Sequence, residues 1–126
     1  MKFMMIVKSK ENVGFPPKEL IEAIDGLSRD AAKAGMMIGG GGLGPTAKGA
    51  SVRLADGRIT VTDGPFAEAK EIIGGYAQFE LKSKEEAIQS AVQFLELHKK
   101  YWPEWEGETE VREMMDPGDF PNCREA

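Results

Sequence analysis

Two hydrophobic periods alternate along this chain of 126 residues, and their order is the strongest constraint on what it can fold into. Lys2 to Lys8 reads as a strand that is apolar on both faces, suited to the centre of a sheet. Leu20, Ile24, Leu27, Ala31 and Ala34 follow at steps of four and three, marking one face of a helix from about Pro17 to Ala34. Gly35 is placed to stop that helix, and Gly26 within it points to close packing on the sheet. Met36 to Gly42 reads as a second strand ending in glycines. Ser51 to Leu54 and Arg58 to Thr62 alternate apolar and polar around Ala55-Asp56-Gly57, a strong hairpin signal. Gly75 to Lys82 alternates again, with Ala77, Phe79 and Leu81 on one face and Tyr76, Gln78 and Glu80 on the other. Ser83 and Glu86 have capping-box spacing and open a second helix that runs to about Tyr101. Its expected core face is Ala87, Ile88, Ala91, Val92 and Leu95, and a last strand spans Glu108 to Met114.

Removing the hairpin from this order leaves strand, helix, strand, strand, helix, strand. That is the ferredoxin-like βαββαβ pattern, an α+β fold in which both helices cover one face of an antiparallel sheet. The other face, half apolar and half polar, is left to be covered by something else. Residues 1–115 form the expected domain, and 116–126 a proline- and glycine-bearing tail without regular structure.

The chain is long enough for one domain with a modest core. Sixteen basic against 21 acidic residues give a net charge of −5, which argues against a phosphate-binding surface and hence against nucleic acid. The apolar run Phe3 to Val7 is far too short for a signal peptide or a membrane span. A single cysteine, Cys123, rules out an internal disulfide and fits a reducing compartment, so a cytoplasmic location is expected. One histidine and one distant cysteine do not make a metal site, so none is expected. Gly39 to Gly44 formally satisfies a dinucleotide fingerprint, but no helical period follows it, and a phosphate needs a helix N-terminus there. Close backbone approach, or room for a ligand, accounts for the glycines better, and no cofactor is expected.

Asp63-Gly64-Pro65-Phe66 forms a stiff corner. It aims the Asp63 carboxylate in a fixed direction, while Phe66 can anchor the corner in the core. A carboxylate there can serve as general acid or base, or it can bond the backbone amides of the turn. With Ala67-Glu68-Ala69-Lys70-Glu71 and Gly74-Gly75-Tyr76, this run resembles the defining motif of the YCII-related, or DGPF-domain, family of small bacterial proteins. The match is nearly unbroken from Thr62 to Tyr76, with weaker similarity over roughly residues 1 to 114.

The resemblance implies a dimeric α+β barrel, in which two copies pair their sheets as a homodimer. It also implies charged site positions at Glu68, Lys70, Glu71, Glu110 and Arg112. Arg112 can hold a ligand carboxylate, or these charges can pin the corner through ion pairs; Arg53 on the hairpin has the same two readings. Tyr76 can contribute a hydroxyl. Some family members pair the motif's aspartate with a histidine on the first helix, and this helix has none. The sole histidine, His98, lies beside Lys99 and Lys100 and is expected at the surface of the second helix's C-terminal turn. Tyr101, Trp102 and Trp105 suit a subunit or loop contact, or stacking on a ring. The expected function is binding of a small polar or anionic molecule, with cofactor-independent lyase or isomerase chemistry carried by Asp63. The alternative is a non-catalytic ligand-binding or regulatory module linked to sigma-factor control of transcription, since family members occur beside or fused to alternative sigma factors.

Overall fold

The computed structural model describes residues 1–11, 13–66 and 71–123. Six strands and two helices follow one another as β1 (Lys2–Ser9), α1 (Lys18–Lys33), β2 (Met37–Gly42), β3 (Ala50–Ala55), β4 (Arg58–Asp63), β5 (Ile72–Glu80), α2 (Lys84–Tyr101) and β6 (Gly107–Glu113). The four-stranded sheet has the order β2-β5-β1-β6, with every neighbouring pair antiparallel, and β3 and β4 form a separate two-stranded sheet. With the hairpin set aside, this is the ferredoxin-like order that the periodicities predict.

β1 is the central strand because it can bury both its edges in hydrogen bonds and one face in the core. Met5 stands opposite Ala77 on β5 and Val111 on β6, and Phe3 opposite Phe79. Phe3, Met5, Leu81, Ala87 and Ala91 form the buried cluster, with Phe79 and Val111 packed against it. The other face of the same three strands carries Ile6, Tyr76 and Glu110 in one row and Met4, Gln78 and Arg112 in the next.

The local signals for turns and caps hold. Ser83 caps α2 by accepting from the Glu86 amide, and the Glu86 carboxylate accepts in return from the Lys82 amide. Gly35 terminates α1 at φ 74°. Asp56 and Gly57 turn the hairpin with φ 53° and 73°, the two positive angles that a type I′ turn requires.

Four expectations need correction. The core face of α2 is formed by Ala87 and Ala91, while Ile88 and Val92 are 44 % and 49 % exposed. Small side chains let the helix approach the sheet closely, so the alanines face inward and the branched residues do not. Gly26 marks no close approach, since a Cβ there would meet nothing within 4 Å. Phe66 is half-buried against the Thr46–Gly49 turn rather than set in the core: its ring lies 3.6 Å from where a Gly49 Cβ would be. The tail is not devoid of regular structure, because Pro117–Asp119 and Pro121–Cys123 each form a 3₁₀ turn, the first closed by reciprocal bonds between Asp116 and Asp119.

The corner at Asp63 is held from outside the hairpin. The Gly64 amide donates to the Gly49 carbonyl at 2.9 Å, and the Gly64–Pro65 peptide is cis. Thr46, buried in the 3₁₀ turn Thr46–Lys48, donates from its amide and, at 2.7 Å, from its hydroxyl to the Glu11 carboxylate. A Cβ on Gly64 would fall 1.6 Å from the Thr46 carbonyl oxygen. The glycine is therefore required by close backbone approach. Gly64→Ala is expected to lower the unfolding free energy by about 1–3 kcal/mol, the range for overpacking, measured by urea denaturation. An unchanged midpoint would show that the corner opens without cost.

Candidate functional site

α1 lies against α2 and beside β2. Leu20 in its first turn is fully buried, and at its far end the Met36 amide donates to the Ala31 carbonyl at 2.9 Å. Between these points the sheet offers little to pack against. On the helix-facing side, β2 and β5 carry Gly40, Gly42, Gly75 and Ala77. The result is a cavity of about 1080 Å³ between the helices and the sheet. Its floor includes Met5, Val7 and Phe79, and its α1 wall Ile24, Leu27 and Ala31. That volume lies at the upper end of what small-molecule sites use.

The α2 side of the cavity combines polar and aromatic groups. Ser90 and Gln93 line it, followed by Phe94, His98, Trp102 and Trp105. His98 is only 7 % exposed, so its expected surface position is wrong. Its ring lies 4.6 Å from the Phe94 ring and 4.3 Å from the Trp105 ring, centroid to centroid. Nδ1 stands 3.0 Å from the Phe94 carbonyl oxygen. A carbonyl only accepts, so Nδ1 carries the proton and a neutral ring presents Nε2 as an acceptor. Burial pushes the His98 pKa down, with the Phe94 hydrogen bond opposing it in part. The ring therefore favours its neutral form.

β6 completes this end. Two atoms at the edge of the Trp105 ring lie 2.3 Å from where a Gly107 Cβ would be, so the indole rests directly on the strand. Thr109 is two residues further along the same strand face, and it too lines the cavity. Its hydroxyl is buried and has no hydrogen-bond partner among the described residues.

The sequence-predicted site residues do not converge here. Tyr76 reaches the cavity rim only as part of β5, because its ring lies over Gly41 on the outer sheet face. Asp63 and Arg53 are exposed on the hairpin and do not line it. Arg112 is exposed on the opposite sheet face, where Glu110 pairs with Lys8 at 3.4 Å. Glu68 and Lys70 lie outside the described residues. No group of three metal-ligating side chains occurs among the described residues. Likewise, no helix among them is long and apolar enough to cross a membrane.

The model of the YCII-related domain family matches residues 1–94. The chain belongs to that family. The matched segment covers the hairpin, the Asp63 corner and the first half of α2. Within this YCII-related protein, His98, Trp102, Trp105 and Thr109 lie beyond the matched segment. No curated protein matches the chain.

Sequence reasoning missed His98 because its two lysine neighbours suggested a solvated turn. A usable signal was present: Ala87, Ala91, Phe94 and His98 are spaced by four, three and four, which places the histidine on the face of the buried alanines.

A pH prediction follows from the burial of the ring. The folded-state pKa lies below the ordinary 6.5, so between the two values the unfolded chain binds a proton that the folded chain does not. Stability therefore falls as pH drops through that window. The wild type is expected to lose more thermal stability than His98→Gln between pH 7 and pH 5. Parallel melting curves for the two proteins would show this ring to be irrelevant.

Proposed function

We propose that this protein binds a small, largely apolar molecule in the cavity between its helices and its sheet. One observation carries the reading: a space of about 1080 Å³ lies where a ferredoxin-like fold of this size would otherwise place its core. The lining is mostly aliphatic, aromatic and glycine, and its charged members, such as Lys10, Glu11 and Asp30, are half-buried or exposed. That environment favours an apolar body over the small polar or anionic ligand expected from the sequence. Chemistry at Asp63, an exposed residue at the base of the hairpin, would need further groups to close around it. Binding needs only the cavity, so binding without turnover is the function put forward.

The neutral dye N-phenyl-1-naphthylamine tests this reading directly. Saturable binding of one dye per chain is expected, and Ser90→Trp, which projects an indole from the α2 wall, should weaken it by at least tenfold. Failure of the wild type to bind, or equal binding by the folded variant, would remove the cavity from consideration.

The assembly proposed with this function is a homodimer. Its support is the family resemblance together with two uncovered apolar surfaces. One is the outer sheet face around Ile6 and Tyr76. The other is one face of the hairpin, where Val52 stands opposite Val61 and Leu54 opposite Ile59, each 67–70 % exposed. A two-stranded hairpin so exposed is marginal in water without a cover. Sedimentation at micromolar concentration is expected to show a dimer, and a 13.8 kDa species alone would count against it.

A further inference from the structure

We infer that His98 Nε2 is the acceptor by which the cavity selects neutral aromatic ligands that carry an N–H or O–H donor. This deepens the binding function proposed above and rests on it.

Tautomer and access together make this nitrogen available. The Phe94 carbonyl oxygen, 3.0 Å from Nδ1, holds the ring proton there, which leaves a lone pair on Nε2. Among the described residues no hydrogen bond reaches Nε2. Nor is Nε2 sealed off. The side-chain polar atom that lacks both a partner and accessible surface among those residues is Thr109 Oγ1, which no ligand can reach. Nε2 lacks a partner but keeps surface, within the 7 % that His98 exposes. Phe94 and Trp105 flank the imidazole, and both line the same cavity as His98. The surface left to the ring therefore belongs to the cavity. Burial also favours the neutral ring, so the lone pair stays free of a proton.

The rest of the lining specifies the body of the ligand. Phe94, Trp102 and Trp105 supply aromatic surface beside the imidazole, with the two indoles stacked at 6.2 Å. Planar rings pack offset or edge-on against such surfaces. A donor on such a ring gains a hydrogen bond where little water competes for it. Charge excludes an aromatic carboxylate. Lys10, the cation of the described lining, is exposed and follows the end of β1. A carboxylate seated beside His98 would lose its water without gaining a counter-ion.

Indole and benzothiophene share a shape, but only indole has a donor, and its nitrogen has no lone pair with which to accept. Each is titrated into the intact protein by displacement of N-phenyl-1-naphthylamine, with 2-naphthoate as the anionic probe. In the wild type, indole is expected to bind about fivefold to tenfold more tightly than benzothiophene, the range for one net hydrogen bond. His98→Phe keeps an aromatic ring but removes the acceptor, and should bring the two affinities together while benzothiophene binding is retained. The chain has one histidine, so nitrogen-15 labelling of histidine reports Nε2 directly in the wild type and serves if the variant does not fold. Saturating indole should shift the Nε2 resonance away from its free-lone-pair position, and benzothiophene should not. Equal affinities in the wild type, a preference for indole that survives in folded His98→Phe, or an unmoved Nε2 resonance would each overturn the acceptor site. Preference for 2-naphthoate would overturn it by showing an anion site. Binding of the dye with displacement by none of the three would also overturn it while leaving the cavity as a binding site. Failure of the dye itself to bind would instead defeat the underlying cavity reading.

Discussion

The cavity depends on a shortage of side chains in the sheet. Along β2 and β5 the inward positions Gly40, Gly42, Gly75 and Ala77 carry nothing larger than a methyl group, while Met37 and Phe79 at one end of the same face supply larger side chains. Two other glycine contacts show that the strands themselves are close: a Cβ on Gly40 would meet the Tyr76 carbonyl oxygen at 2.7 Å, and one on Gly75 would meet the Gly41 carbonyl oxygen at 3.3 Å. The glycines thus bring backbone against backbone within the sheet and leave a space above it. With Leu20 anchoring one end of α1 and the Gly35 cap fixing the other, the helix spans that space instead of collapsing into it.

This division explains why the buried core is small and lies to one side. Phe3, Met5, Leu81, Ala87 and Ala91 pack beneath α2, which lies on β6 with its alanines facing the sheet. Under α1 the same sheet has no such filling. One helix supplies cohesion, and the other roofs the cavity. On the α2 side of the cavity, packing against Phe94 and Trp105 fixes the His98 ring.

Much of the architecture was legible in the sequence because it rests on local rules. The type I′ turn at Asp56-Gly57, the Ser83 cap and the alternation of β5 each depend on a few adjacent residues, and their order yields the ferredoxin-like topology. The family motif was legible for the same reason, and the family match agrees with it over residues 1–94. The inward face of α2 was not, since two faces carry apolar residues and the choice depends on how near the sheet lies. Ala87 and Ala91 won over Ile88 and Val92 because a close interface selects small side chains. That choice carries His98 with it, one turn beyond Phe94. The glycines of β2 carried two open readings, close approach and room for a ligand; the fold shows close approach at Gly40 and open space beside the strand.

His98 also changes how the absent helix-one histidine bears on function. In relatives that pair such a histidine with the motif's aspartate, acid–base capacity gathers at the corner. In this chain the corner retains Asp63 at an exposed strand end, while the imidazole stands inside the cavity on the opposite helix. The two groups no longer belong to one local environment. A neutral imidazole shielded by Phe94 and Trp105 interacts strongly with any donor that reaches Nε2. Leaving the buried Thr109 hydroxyl without a partner costs about 1–3 kcal/mol, a sizeable fraction of the stability of a small domain. A fold with so few fully buried apolar side chains carries that cost at one place, beside aromatic surface and open volume. Local departures from packing rules are expected to gather at functional or strained sites, and here they gather around one cavity.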